Sequence, residues 1–199
     1  MNGFQAKIKE YIECNNMLAG KERIVVGVSG GADSMCLLSV LLELCKGKQE
    51  ISVIHVHHGL RENADAEAEY VRKYCDTINV PCRVVNVDVK GKAASEGLST
   101  EEAARILRYE AFAKETGGDD AAVIAVAHNM DDQAETMLHN LFRGSSLNGL
   151  CGIKPVRDNI IRPLLCVSRK EIEAYLSERD IKYCTDESNL TDDYTRNKL

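Results

Sequence analysis

Arg23-Ile24-Val25-Val26-Gly27-Val28-Ser29-Gly30-Gly31-Ala32-Asp33-Ser34 is the stretch on which the fold turns. Its first half, through Ser29, is short, continuous and rich in β-branched residues, as expected of a strand buried on both faces. From Ser34 to Cys45 the pattern changes. Leu37, Leu38, Leu41, Leu42 and Cys45 recur at helical spacing. Between strand and helix lie two glycines, which let the chain turn sharply and let a ligand come close to the backbone amides. Free N–H groups and the dipole at a helix start favour an anion, and Ser29 and Ser34 add hydroxyls. Asp33 is the odd residue. One reading makes it an ordinary N-terminal helix cap. The other notes that a carboxylate beside phosphates needs an intervening cation, either Mg²⁺ or a cationic substrate. The spacing matches neither the Walker loop G-x-x-x-x-G-K-[ST] nor G-x-G-x-x-G.

Outward from this stretch, apolar runs alternate with helical patterns. Ile51–His57 and Arg83–Val89 read as strands flanking a helix over Ala64–Ile78. Lys90–Leu98 is polar with Gly and Ser, and reads as a linker or mobile loop. Ser99 and Glu102 have capping-box spacing ahead of a helix from about Thr100 to Thr116, which Gly117-Gly118 ends. Ala121–Ala127 is a fourth buried strand, Asp131–Phe142 a helix and Arg143–Gly152 a glycine-rich loop. Ile160–Leu165 reads as a short fifth strand, and a second capping box, Ser168 with Glu171, opens a helix to about Arg179. Lys182–Leu199 is polar and carries no clear pattern. The alternation predicts an α/β fold: a doubly wound, parallel five-stranded sheet with helices on both faces. Ligands of such sheets sit beyond the carboxyl ends of the strands, so Ser29–Ser34, His57–Arg61 and His128–Glu135 are expected to share one crevice.

Composition bounds the rest. The chain has 199 residues, 44% hydrophobic and 28% charged, with a net charge of −6. That balance gives no bulk electrostatic pull toward nucleic acid, although a local basic patch is compatible with it. A signal peptide and a long apolar run are not seen, so the expected location is cytoplasmic, without membrane association. The eight cysteines include no C-x-x-C pair, which speaks against a zinc ribbon or a redox motif and for small buried side chains in a reducing cell. Five histidines without a spaced Cys/His set do not suggest zinc.

Ser29-Gly30-Gly31-Ala32-Asp33-Ser34 after a first buried strand resembles the S-G-G-x-D-S signature of the ATP-pyrophosphatase (PP-loop) superfamily. Three further stretches narrow the likeness: His55–Arg61, Ala127–Thr136 and Arg143–Ile153. Together they resemble the tRNA(Ile)-lysidine synthetase family, as do Arg105, Arg108-Tyr109, Arg162-Pro163-Leu164, Asp186–Asn189 and Arg196-Asn197. The likeness runs from Ile24 to Asn197. Departures are Glu187, where the family often has proline, and Ser146, where glycine is usual. The resemblance implies an N-terminal catalytic domain with a core over about residues 20–180. Residues 181–199 would begin the next segment, and the C-terminal tRNA-binding domains would be absent.

The family also implies roles. Ser29, Gly30, Gly31, Ala32, Asp33 and Ser34, with His57 and His128, would bind ATP, and Asp33 would hold Mg²⁺. Asp132 and Glu135, three apart on one helix face, would grip the ammonium of L-lysine; spacing alone fits a solvated acidic first turn equally well. Arg108 would reach nucleotide or RNA, where composition alone suggests a surface ion pair. Asp131 would cap its helix. Lys90 and Lys92 would touch RNA or simply face solvent. The implied partners are ATP, L-lysine and tRNA(Ile) with a CAU anticodon; the oligomeric state is open, a homodimer included. Two rivals differ in class: another PP-loop tRNA-modifying enzyme such as a thiolase, and a non-catalytic nucleotide-binding module.

Overall fold

The computed structural model describes residues 3–60, 63–143 and 151–184. Arg61, most of the Arg143–Gly152 loop, Asp186–Asn189 and Arg196-Asn197 lie outside the described residues. The elements are α1 (Gly3–Cys14), β1 (Arg23–Gly27), α2 (Ala32–Leu44), β2 (Glu50–His57), α3 (Ala64–Thr77), β3 (Cys82–Asn86), α4 (Val89–Glu96), α5 (Thr100–Thr116), β4 (Ala122–Ala125), α6 (Met130–Phe142), β5 (Val156–Arg157), β6 (Ile160–Ile161), a 3-10 turn over Pro163–Cys166, and α7 (Arg169–Glu178).

The sheet runs β3-β2-β1-β4-β6-β5. Neighbours are parallel throughout except β5, which is antiparallel to β6. The five expected parallel strands are therefore present, and a short sixth strand extends the edge. Strand β1 is central. Val25 pairs with Ser52 on one side and Ile124 on the other. Its side chains alternate between two cores. Ile24 and Val26 pack with α1, α2, α3 and α7, including Ile8, Leu37, Leu38, Val71 and Leu176. Val25 packs with Ile54, Ala111, Phe112 and Ile124 on the α5 side. Burial on both faces is what makes the strand read as one unbroken apolar run.

Two sequence expectations are corrected. Lys90–Leu98 is not a linker. Asp88 accepts a hydrogen bond from the Gly91 amide at 2.9 Å, Gly97 closes the helix in the left-handed region at φ 65°, and Val89 packs with Ala103 and Ala104. A cap at each end and an apolar seam against α5 thus form α4 from a polar sequence. The strand expected over Ile160–Leu165 ends at Ile161, because Pro163 has no N–H for a ladder and instead starts the 3-10 turn. Helix α1, ahead of the first strand, buries Gln5, Ile8 and Ile12 against the α2 side. Both capping serines hold: Ser99 accepts from the Glu102 amide, and Ser168 and Glu171 form the reciprocal box. Of the cysteines, all are free; Cys36, Cys45 and Cys75 are buried, while Cys14 and Cys151 are exposed. Among the described residues, no helix is long and apolar enough to cross a membrane.

The order of the strands reverses at β1. The chain moves from β1 outward to β2 and β3, then returns to place β4 on the other side. Helices that leave β1 and β4 are drawn apart there, which opens a crevice at the strands' carboxyl ends. Gly27, last in β1, faces α5: a Cβ there would meet the Phe112 ring at 2.9 Å. Phe112 is buried at 3% exposure, so the ring has little room to yield. Gly27→Val should lower unfolding free energy by about 1–3 kcal/mol through overpacking, seen as a lower urea midpoint at unchanged slope.

Candidate active site

The crevice at the β1/β4 parting encloses about 800 Å³. Its floor is the turn between β1 and α2. Gly30 adopts φ +96°, outside the range of residues with a side chain, and a Cβ there would press on Cys184 and Val71 at 3.4 Å. Ser34 ties the turn together. Its hydroxyl donates to the Gly31 carbonyl at 2.9 Å and accepts from the Ser29 and Gly30 amides at 3.2 Å each. In this conformation its proton serves the loop's shape, so its first role is to build the turn. Gly31 is the N-cap of α2 and supplies no side-chain cap. The first turn, Ala32 to Ser34, therefore lines the crevice without a side-chain cap, an arrangement suited to an anion.

Asp33 lies inside the first turn and is not the cap. Its Oδ2 accepts from Arg169 Nη1 at 2.8 Å, and its Oδ1 accepts from Asn129 Nδ2 at 3.2 Å. Burial pushes the Asp33 carboxyl above the usual carboxylate range; Arg169 and Asn129 pull it back, and nearby Asp132 raises it further. Arg169 also donates through Nε to Glu173 at 2.7 Å, and its backbone amide donates to Asp131 Oδ2 at 2.8 Å. Burial opposes its charge, but Glu173 and Asp33 outweigh that and raise its pKa. Asp131 is a helix cap, then, but of α7 rather than of its own helix. Asn129 caps α6, accepting from the Asp131 and Asp132 amides, while Asp132 Oδ2 accepts from the Asn129 amide to close a capping box.

The sequence missed Arg169 and the double role of Asn129. For Asn129 a signal existed: an Asn three residues before Asp at a helix start is the box spacing. For Arg169 none did, because its partner is 136 positions away.

Ser29, Gly31, Ala32, Asp33, Ser34, His57, Arg108 and His128 all line the crevice. Gly30 is buried behind the loop, with its carbonyl accepting from the Cys184 amide at 2.9 Å. Asp132 and Glu135 stand on α6 outside the crevice wall; Asp132 borders it through His128, on which its charge acts, and Glu135 is exposed one turn further on. His57 Nε2 is 3.0 Å from the Asp65 carboxylate, close but not aligned as a hydrogen bond. His55 is held by the Val28 carbonyl at 2.8 Å; burial pushes its pKa down, against that bond. Arg108 is exposed by surface area yet lines the crevice, and the surrounding protein lowers its pKa; a guanidinium keeps its proton regardless. Arg105 stacks on Tyr109 with its guanidinium 5.0 Å from the ring centre. Lys92 bridges Glu96 and Glu110 at 2.9 and 3.2 Å, tying α4 to α5. Among the described residues no three His, Cys, Asp or Glu side chains cluster as metal ligands.

An uncapped helix start behind a Ser-Gly-Gly turn, at the switch point of a parallel sheet, defines an anion-binding α/β domain of the nucleotide-binding kind. Residues 2–199 match the family described as the PP-loop domain, and the chain belongs to that family. A tRNA(Ile)-lysidine synthase from Caldanaerobacter subterraneus subsp. tengcongensis is 45% identical over 203 residues, covering 99% of this chain and 43% of that protein. Another from Bacillus subtilis is 38% identical over 197 residues, covering 96% and 42%. The chain thus spans less than half the length of these curated relatives. A solved U34-tRNA thiolase from Methanococcus maripaludis with its 4Fe-4S cluster aligns at a TM-score of 0.74, covering 92% of this chain and 65% of that one; at 18% identity the likeness is one of fold.

His128 gives a pH test. Burial pushes its pKa down to about 4, against the pull of Asp132 and with the help of Arg162, Arg105 and Arg108. Between pH 6.5 and 4 the unfolded chain binds a proton at this side chain that the folded one does not, so stability falls as pH falls through that window. The loss is at most about 3 kcal/mol at one kcal-scale step per pH unit. Urea titrations from pH 7 to 4 should show a shallower acid limb for His128→Gln than for the unaltered protein.

Proposed function

We propose that this domain is the catalytic part of a tRNA(Ile)-lysidine synthase: it uses ATP to adenylate the wobble cytidine of a CAU-anticodon tRNA(Ile), which free L-lysine then attacks. The observation that carries the reading is the uncapped first turn of α2 at the floor of the crevice, taken with 45% identity to a synthase of that name across nearly the whole chain.

A cytosine ring carbonyl is a poor electrophile, and its oxygen a poor leaving group. Attaching AMP to that oxygen removes both obstacles. The ring oxygen attacks the α-phosphate, pyrophosphate departs, and the lysine amine then displaces AMP to give lysidine. The residues' task is placement and charge balance. The amides of Ala32–Ser34 would cradle phosphate oxygens. His128, kept neutral by burial, and Arg108 would flank the nucleotide on the other side of the crevice. Asp33 suits Mg²⁺, which takes one or two carboxylates and completes its shell with water and substrate phosphates; when bound, the ion would shield phosphate charge. Asp132 and Glu135 would hold the lysine side of the reaction next to His128, and a carboxylate there would take the proton that the amine must shed before attack. The cytidine must be unstacked to enter, as single-stranded RNA readers require. A net charge of −6 gives the domain little general attraction for RNA, so tRNA grip would fall to local cations such as Arg105 and Arg108 and to further parts of the protein. The setting would be the cytoplasm, where tRNA is modified.

The thiolase reading has less support. The sequence has no C-x-x-C pair; Cys75 of α3 and Cys82 of β3 are hydrogen-bonded to each other, but neither lines the crevice. The decisive assay incubates full-length protein with ATP, labelled lysine and tRNA. Label should enter tRNA only with ATP present, with AMP and pyrophosphate released in step; ATP binding without AMP release would point to a non-catalytic module instead. Asp33→Ala should cut ATP–pyrophosphate exchange by about 100-fold or more, on the scale of losing a charge-stabilising group, while keeping the fold. Glu135→Ala should raise the lysine concentration for half-maximal rate about 10-fold or more, the scale of one charge-assisted hydrogen bond. Unchanged lysine dependence would remove Glu135 from the substrate site.

A further inference from the structure

Asp33 sits in the uncapped first turn of a helix at the floor of the crevice, so its carboxylate opposes the anion that such a turn favours. The protein already answers that charge. Arg169 Nη1 lies 2.8 Å from Asp33 Oδ2, from a helix at the far end of the described chain. Arg169 lines the same crevice as Gly31–Ser34. Its backbone is fixed by the Asp131 carboxylate at 2.8 Å, independently of its side chain. Its Nε is directed by Glu173 at 2.7 Å, one helical turn along.

We propose that Arg169 is the resident counter-ion of the phosphate loop: a positioning residue that neutralises and holds Asp33 until the nucleotide brings its own divalent cation. The inference rests on the ATP reading above and adds a part to it.

The energetics fit a contact meant to be exchanged. The Arg169 and Asp33 side chains are 40% and 26% exposed. Ion pairs with that much solvent contribute about 0–1 kcal/mol, little enough for an arriving cation to replace. The pair is therefore strong enough to cancel repulsion in the empty loop and weak enough to be displaced. Asn129, buried at 4% exposure and bonded to the other oxygen of Asp33, keeps the carboxylate in place during the exchange. Arginine suits the post because it stays charged at every working pH.

The test measures equilibrium binding of ATP to the full-length protein, once in EDTA and once in saturating Mg²⁺. The quantity read is the ratio of the two affinities. Arg169→Gln keeps the backbone cap and much of the stem but loses the charge. It should weaken ATP binding tenfold or more in EDTA and less than threefold in Mg²⁺, so the ratio rises. Arg169→Lys, which restores a cation, should bring the ratio back to within threefold of the unaltered protein. Arg169→Gln combined with Asp33→Asn should restore the affinity in EDTA itself to within threefold of the unaltered protein, because the charge that needed balancing is gone. A ratio unchanged by Arg169→Gln, whether binding falls equally in both buffers or in neither, overturns the proposal; so does failure of both rescues. If the unaltered protein binds ATP in neither buffer, the nucleotide reading falls and this inference with it. Should Arg169→Gln unfold, which a thermal melt would reveal, Arg169→Lys against Arg169→Lys with Asp33→Asn decides: metal-free binding that the added Asp33→Asn leaves unimproved supports the counter-ion role, and a tenfold gain on adding it overturns it.

Discussion

A carboxylate in the first turn of α2 must be balanced, and the balance is struck by side chains from two other helices. Arg169 reaches it from α7 and Asn129 from the start of α6. Each of these is itself engaged at a helix terminus. Asn129 closes the capping box of α6, and the Arg169 amide is capped by Asp131, also from α6. Three helix starts thus converge on one charge. Helix N-termini carry partial positive charge; the starts of α6 and α7 are capped by side chains, so the first turn of α2 is the one of the three without a side-chain cap.

The sheet makes the convergence feasible. Strand β1 is buried on both faces and flanked by parallel neighbours, so its carboxyl end is held rigidly at the switch point. Gly30 bends the chain by a route closed to other residues, and Ser34 uses its hydroxyl to lock the bend. A loop held this way is ordered in advance, which suits the phosphate role proposed for it. The segment after α7 contributes as well: the Cys184 amide donates to the Gly30 carbonyl and Tyr70 of α3 donates to the Lys182 carbonyl at 2.5 Å, so this segment is fastened to the loop and to α3.

Much of this is legible in the residues. Unbroken apolar runs identify buried parallel strands, and Ser29–Ser34 with its glycines marks the loop, because those patterns arise from neighbours in sequence. What escapes has other origins. Helix α4 hides behind Lys90, Lys92 and Ser95, since its stability lies in Asp88, Gly97 and a seam against α5 rather than in amphipathic spacing. The sixth strand is too short, at Val156–Arg157, to show an alternation. Arg169 is invisible because a salt bridge between residues 136 positions apart leaves no local trace. Asp131 and Asp132 show the intermediate case. Their acidity at a helix start is obvious, but which helix Asp131 caps is a matter of tertiary packing. Cation binding by Asp132 and Glu135 is suggested by spacing and family likeness; both stand on α6 outside the crevice wall, and the lysine role proposed for them is not legible in that position.

The central claim is that the first turn of α2 receives the nucleotide's phosphates. A crystal structure of the full-length protein with a non-hydrolysable ATP analogue tests it most directly. The account predicts phosphate oxygens within hydrogen-bond distance of the Ala32, Asp33 and Ser34 amides, with the base toward His57 and Arg108. A triphosphate bound elsewhere, with that first turn left untouched, would contradict it.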